Sequence, residues 1–187
     1  MTGDRAPRVV VMGVSGCGKS TVGELLASRL GVPFLDADTL HPSANVAAMA
    51  AGVPLTDEDR GPWLAAVADR LAAAPDGLVV ACSALRRAYR DVLRAGAPAA
   101  AHVHLHGTRA VLEERVADRP GHFMPASLLA SQLATLEPLD ADERGVVLDV
   151  VDPPAELAAT AAAWLGRDDA GCPAGGPTAA PPAGGRR

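Results

Sequence analysis

Short apolar runs alternate along the chain with longer segments whose apolar residues recur at helical spacing. Val9-Val10-Val11-Met12, Val32-Pro33-Phe34-Leu35, Leu78-Val79-Val80-Ala81-Cys82, His102-Val103-His104-Leu105-His106 and Val146-Val147-Leu148-Asp149-Val150 read as strands. Thr21 to Leu30, Pro42 to Ala51, Pro62 to Ala74, Arg86 to Arg94, Thr108 to Ala117, Ala126 to Leu136 and Pro154 to Leu165 read as helices, with Arg119 to Pro125 a loop. Five apolar strands separated by helices predict a parallel sheet covered on both faces, an α/β fold. Ligands in such sheets sit at the carboxyl ends of the strands. Nearly every informative polar cluster here follows a strand, so the clusters are expected on one rim. There is no internal repeat.

Composition narrows the class. A chain of 187 residues, 49% apolar but only 3% aromatic, can build one sizeable core from alanine, leucine and valine. The formal charge of −5 argues against nucleic acid as the main partner. No apolar run approaches the ~18 residues of a membrane span, and Met1 to Arg8 carry no signal-peptide core. Cys17, Cys82 and Cys172 are odd in number and far apart, which is no disulfide framework and fits a reducing cytoplasm. The expected division is one domain over residues 1–167. From Asp168 to Arg187 the chain is mostly Ala, Gly and Pro, and a disordered tail is expected there.

The first strand runs into Gly13-Val14-Ser15-Gly16-Cys17-Gly18-Lys19-Ser20, and a helix follows. Strand, glycine-rich turn and helix are the context of a phosphate-binding loop. The glycines let backbone N–H groups converge on one anion, and the helix N-terminus adds partial positive charge. Lys19 is expected to reach the β- and γ-phosphates of a nucleoside triphosphate, and the Ser20 hydroxyl to hold Mg²⁺. Chance would supply roughly 0.01 such matches in a chain this long. Lys19 is also the chain's only lysine; the other basic residues are arginines. A compact ammonium stands where it suits phosphate better than a planar fork.

Further clusters fall on the same rim. Asp36 and Asp38 point the same way if the strand stays extended. Asp36 would then hold the metal and Asp38 accept a proton from an attacking hydroxyl; the competing role is capping of the next helix. Arg60 sits among Asp57, Glu58 and Asp59 near a helix start, with Thr56 or Asp59 as cap. It needs a local acid partner or an anionic ligand. Trp63 is read as core. Arg86 and Arg90, four apart, would share a helix face beside Tyr89 and could bind a carboxylate or phosphate, or form a solvated basic face. The loop with Arg119, Gly121, His122 and Phe123 resembles a lid, Arg119 its phosphate contact; Arg115 would pair with Glu114 or Asp118. His102, His104 and His106 share one strand face. Zinc is one reading and buried, hydrogen-bonded histidines the other.

These residues match a family. The phosphate loop, Leu40-His41-Pro42 with Asn45 and Met49, and the run Gly52 to Leu64 resemble gluconokinases of the phosphate-loop type. So do Cys82-Ser83-Ala84-Leu85 with Tyr89-Arg90, Gly121-His122-Phe123-Met124, and Ser131-Gln132 with Thr135-Leu136-Glu137. The resemblance covers about Val9 to Leu165. It implies a nucleoside-monophosphate-kinase-like fold, a three-layer α/β/α P-loop NTPase with a five-stranded parallel sheet and a mobile lid at about 118–136. It implies transfer of the ATP γ-phosphate to D-gluconate, giving 6-phosphogluconate, in a homodimer. Carried onto this chain, Gly13, Val14, Ser15, Gly16, Cys17, Gly18, Lys19, Ser20 and Thr21 bind ATP. Asp38, His41, Arg60, Arg86 and Arg90 surround gluconate; Ser20 and Asp36 hold the metal; Lys19, Asp38 and Arg119 carry the chemistry. Ala48 and Pro120 stand where the family often has lysine. Shikimate kinases share the loop but are expected to carry Gly-Gly-Gly where this chain has Cys82-Ser83-Ala84. A guanine-reading switch needs Asn-Lys-x-Asp, and the only asparagine, Asn45, precedes Val46.

Overall fold

The chain is described here by a computed structural model covering residues 6–117 and 126–169. Among these residues the strands are β1 (Arg8–Met12), β2 (Phe34–Asp36), β3 (Leu78–Ala81), β4 (Ala101–His106) and β5 (Gly145–Asp149). The helices are α1 (Lys19–Leu30), α2 (Ser43–Ala50), α3 (Asp57–Ala72), α4 (Arg87–Gly96), α5 (Arg109–Ala117), α6 (Ala126–Thr135) and α7 (Pro154–Asp169). The sheet has five strands in the order β2-β3-β1-β4-β5, all pairs parallel, with Val10 level with Val80 on one side and His102 on the other. β1 is therefore central, and the loop that follows it opens in the middle of the carboxyl rim.

Alternation along the strands sends side chains to two cores. Val9, Val11, Val79, Val103 and Leu105 pack with Leu26 of α1, Leu129 of α6 and Leu157 and Leu165 of α7. Val10, Met12 and Val80 pack with Trp63, Val67 and Leu71 of α3 and Leu93 of α4. These side chains are essentially fully buried, each contributing on the order of 1.5–3 kcal/mol by its removal from water.

Four element boundaries differ from expectation, the first three for local reasons. β2 stops at Asp36, and Ala37–Leu40 turn into a 3₁₀ helix that Asp36 caps: its Oδ1 accepts from the Asp38 N–H at 3.0 Å. The extended Asp-x-Asp geometry is thus not formed. α3 begins at Asp57, not Pro62, because Thr56 and Asp59 form a reciprocal capping box and Pro62 sits inside the helix. α4 begins at Arg87, leaving Arg86 outside in extended conformation (φ −99, ψ 150). α7 continues to Asp169, past the compositional break at Arg167. The tail beyond Asp169 and the 118–125 part of the expected lid lie outside the described residues; the lid's described part is α6.

Candidate active site

The phosphate loop is built by glycines in conformations that side chains rarely adopt: φ is +140 at Gly13, +82 at Gly16 and +95 at Gly18. A Cβ at Gly13 would also lie 2.7 Å from the Leu105 carbonyl oxygen and 2.8 Å from Cys17 Sγ. The Gly13 N–H donates to Ser83 O at 3.3 Å, tying the loop to the end of β3. Gly18 is the N-cap of α1 and offers no side-chain acceptor, so the first N–H groups of that helix face the loop without a side-chain cap. Lys19 Nζ donates to Val14 O at 3.0 Å across the loop. Cys17 is a packing group: it is buried, and burial pushes its thiol pKa up while Lys19 opposes this.

Ser20 Oγ donates to Asp36 Oδ2 at 2.8 Å. Asp36 thus caps the 3₁₀ turn, the competing role, with one oxygen and meets the loop hydroxyl with the other. Hydroxyl and carboxylate oxygens side by side are hard donors of the kind Mg²⁺ prefers. Asp38, one 3₁₀ residue further on, has an 80% exposed side chain, with Oδ1 3.9 Å from His41 Nε2. His41 stacks on Trp63, ring centroids 4.2 Å apart and planes 13° from parallel. Trp63, core as expected, donates Nε1–H to Ala37 O at 2.7 Å and so holds the turn carrying Asp38. Burial lowers the His41 pKa, which Asp38 raises and Arg60 lowers further. Asn45, itself buried, donates to Asp59 O at 2.8 Å and lies 3.5 Å from His41 Nδ1.

Arg60 and Arg86 converge on Tyr89, their guanidinium carbons 5.6 and 5.8 Å from its ring centroid. Asp57 bridges the group: Oδ2 accepts from Arg86 Nη1 at 2.6 Å, Oδ1 accepts from the Tyr89 hydroxyl, and Oδ1 lies 3.7 Å from Arg60 Nη1. Arg60 also donates to Leu55 O at 2.6 Å. The acid partner that Arg60 needed is thus Asp57, and the same carboxylate shows that this cluster accommodates an anion.

Arg90 does not join it. Its side chain is 1% exposed, and Nε and Nη2 grip both Glu143 oxygens at 2.6 and 2.8 Å. Nη1 donates to Ala84, Leu85 and Glu137 carbonyls at 3.3, 3.3 and 3.1 Å, and Nη2 to Pro138 O at 3.0 Å. Because α4 begins after Arg86, the two arginines do not share a helix face, and Arg90 is a structural residue. Arg115 donates to the Val150 carbonyl, rather than serving only a local acid. Arg119 lies outside the described residues. His102 and His104 are buried as expected, but neither ring has a hydrogen-bond partner among the described residues.

Sequence reasoning gave no role to two polar groups. Glu143 is the acceptor for Arg90, and Gln132 Oε1 accepts from the Ser15 N–H of the phosphate loop at 2.7 Å. Gln132 is signalled by its place in the Ser131-Gln132 part of the family resemblance and as the one carboxamide in the otherwise small or apolar α6, but without a role.

The chain is similar to known proteins. A family model described as an AAA domain matches residues 9–139. A gluconokinase of Gluconobacter oxydans is 53% identical over 138 residues, covering 72% of this chain and 78% of that protein. A thermoresistant gluconokinase of Escherichia coli is 43% identical, covering 79% and 86%. The crystal structure of a gluconokinase from Sinorhizobium meliloti superposes with a TM-score of 0.83 at 51% identity, over 89% of this chain and 95% of that one. A shikimate kinase from Acinetobacter baumannii, TM-score 0.57 at 17% identity, shares the fold alone. With the phosphate loop, the Asp36–Ser20 pair and the Arg60–Tyr89–Arg86 cluster on one rim, these likenesses place the chain in the gluconokinase family.

Proposed function

We propose that this chain transfers the γ-phosphate of ATP to D-gluconate, giving 6-phospho-D-gluconate and ADP, and that Asp38, Lys19, Arg60 and Arg86 do the work. The observation that carries the residue roles is the convergence of two guanidiniums on Tyr89, already spanned by the Asp57 carboxylate, on the rim that holds the phosphate loop. A sugar acid is a polyol with one carboxylate, and an acidic protein needs such a local cationic patch to hold it. Arg60 and Arg86 take that carboxylate, with Asp57 giving way.

The acceptor hydroxyl then lies toward Asp38, whose exposed carboxylate accepts its proton; His41, partly desolvated against Trp63, lines the same place. Lys19 leaves Val14 O and bonds the phosphates. Ser20 and Asp36 would hold Mg²⁺, which supplies charge neutralisation on the transferring group. Arg119 keeps the role expected of it from the lid-like loop, a second cation for the phosphoryl group. A homodimer in the cytoplasm completes the proposal; the family resemblance and the free, buried Cys17 and Cys82 support it. Among the described residues no helix is long and apolar enough to cross a membrane.

A coupled ADP-release assay across gluconate, shikimate and other sugar acids tests this. Turnover is expected with gluconate; turnover with shikimate alone, or ADP release independent of every acceptor, would reject it.

A further inference from the structure

Asn45 stands in the first turn of α2, 6% exposed, and its carboxamide faces two polar atoms. Nδ2 donates to the Asp59 carbonyl oxygen of α3 at 2.8 Å and lies 3.5 Å from His41 Nδ1. The first contact settles which carboxamide atom is which. A main-chain carbonyl only accepts, so the atom beside it is the NH₂ group. An NH₂ group only donates. The His41 Nδ1 that faces it therefore carries a lone pair, and the ring proton of neutral His41 sits on Nε2.

The ring that carries this proton is held in place. It stacks on Trp63, and its side chain is 4% exposed. Nε2 is turned to Asp38 Oδ1 at 3.9 Å, and the 80% exposed Asp38 side chain is the movable partner of the two. Burial holds the His41 pKa below the usual imidazole value; Asp38 opposes this and Arg60 reinforces it, so the ring is neutral at neutral pH. A neutral Nε2–H orients the carboxylate without cancelling its charge. The other tautomer would turn a lone pair on it, and an imidazolium would pair with it and weaken it as a base.

We propose that Asn45 is a positioning residue for phosphoryl transfer: it confines His41 to the neutral form protonated on Nε2, whose one ring proton is directed at Asp38. The kinetic consequence rests on the reading of Asp38 as the base; the tautomer does not. An Asn45 that merely anchored α2 to α3 would act only through its bond to Asp59 O. Asn45→Ala and Asn45→Asp lose that bond alike. They differ at His41: alanine offers Nδ1 nothing, whereas a carboxylate accepts from it and draws a proton there.

Long-range proton–nitrogen correlation spectra of the isotope-labelled full chain, taken above the imidazole titration range, read ring protonation directly. The unaltered chain is expected to show His41 with its proton on Nε2 alone. Asn45→Asp is expected to show a proton on Nδ1, and Asn45→Ala a mixture of the two tautomers. In steady-state kinetics Asn45→Asp should lower kcat about 10-fold or more, with the KM for ATP changed less than about threefold and the kcat of Asn45→Ala between the two. A proton on His41 Nδ1 in the unaltered chain overturns the proposal, and that measurement needs no variant to fold. An unchanged His41 pattern in Asn45→Asp overturns it too, as do equal losses of kcat in the two variants. Near-normal turnover of Asp38→Asn would instead reject the base reading, while the spectra still decide the tautomer.

Discussion

Arg90 and Glu143 face each other as a bidentate pair, Nε to Oε1 at 2.6 Å and Nη2 to Oε2 at 2.8 Å, each side chain 1% exposed. The remaining Arg90 donors close the backbone at Ala84, Leu85, Glu137 and Pro138. Burial would raise the Glu143 pKa, but the hydrogen bonds from Arg90 and from the Asp140 N–H hold it below the usual carboxylate range. Removing one partner strands a buried charge, at a cost of about 3–5 kcal/mol. Arg90→Met is therefore expected to lower unfolding free energy by that order in urea titrations. The double change Arg90→Met with Glu143→Leu should recover much of it. An Arg90→Met protein of normal stability with a raised KM for gluconate would return Arg90 to the substrate pocket.

That pair marks where local pattern stops being informative. The strands, the phosphate loop and α1 are legible because contiguous residues determine them: an apolar run, glycines where φ must be positive, then helical spacing. Arg90 and Glu143 are 53 residues apart, and nothing near either one announces the other. The start of α3 was open to misreading because Pro62 resembles a first-turn proline, whereas the Thr56–Asp59 capping box decides it. Arg86 and Arg90 match a shared helical face by spacing alone, but Arg86 is the N-cap residue, so the helix that would align them starts after it. Asp36, expected at the metal with capping as the competing role, caps the turn with one oxygen and accepts from Ser20 with the other, a division that spacing does not signal.

The arginine cluster predicts a division of labour between the two substrates. Arg60 and Arg86 approach Tyr89 from two elements, α3 and the turn before α4, far from the N–H groups of the phosphate loop in sequence. A charged hydrogen bond contributes about 1.5–3 kcal/mol, so Arg60→Ala or Arg86→Ala should raise the KM for gluconate about 10- to 100-fold. The KM for ATP should change little. Initial-rate measurements with each substrate varied in turn decide this, and a change confined to ATP would count against the pocket.

Asp38 is the most exposed of the chemical groups, with its backbone N–H held by Asp36 and His41 beside it at 3.9 Å. A carboxylate so placed can orient and deprotonate a hydroxyl, and its amide cannot. Asp38→Asn is expected to reduce kcat by about 100-fold or more while ATP binding, measured by calorimetry, is retained. Near-normal turnover would assign the base elsewhere.

The unpaired histidines of β4 predict how the fold responds to acid. His102 and His104 are 2% and 4% exposed, and among the described residues neither ring nitrogen has a hydrogen-bond partner. Burial pushes both pKa values down to about 4. Glu143 pulls His102 back upward in part, Arg90 and Arg94 oppose that, and His106 and Arg90 push His104 the same way as burial. In the unfolded chain an imidazole titrates near 6.5. Between about 6.5 and about 4 the unfolded state binds protons that the folded state refuses, so stability is full above this window and falls as pH drops through it. The loss should reach about 2 kcal/mol per histidine at pH 5. Carboxylates with depressed values, such as Asp142 at about 2, lose their contribution only at still lower pH, so the two effects separate. Urea unfolding at pH 7, 6 and 5 is the measurement, with the His102→Leu, His104→Leu double variant as control. The unaltered chain should weaken steadily over that range and the double variant much less, keeping only the smaller slope of His41, whose pKa burial also lowers. An undiminished slope in the double variant would place the proton uptake on other groups.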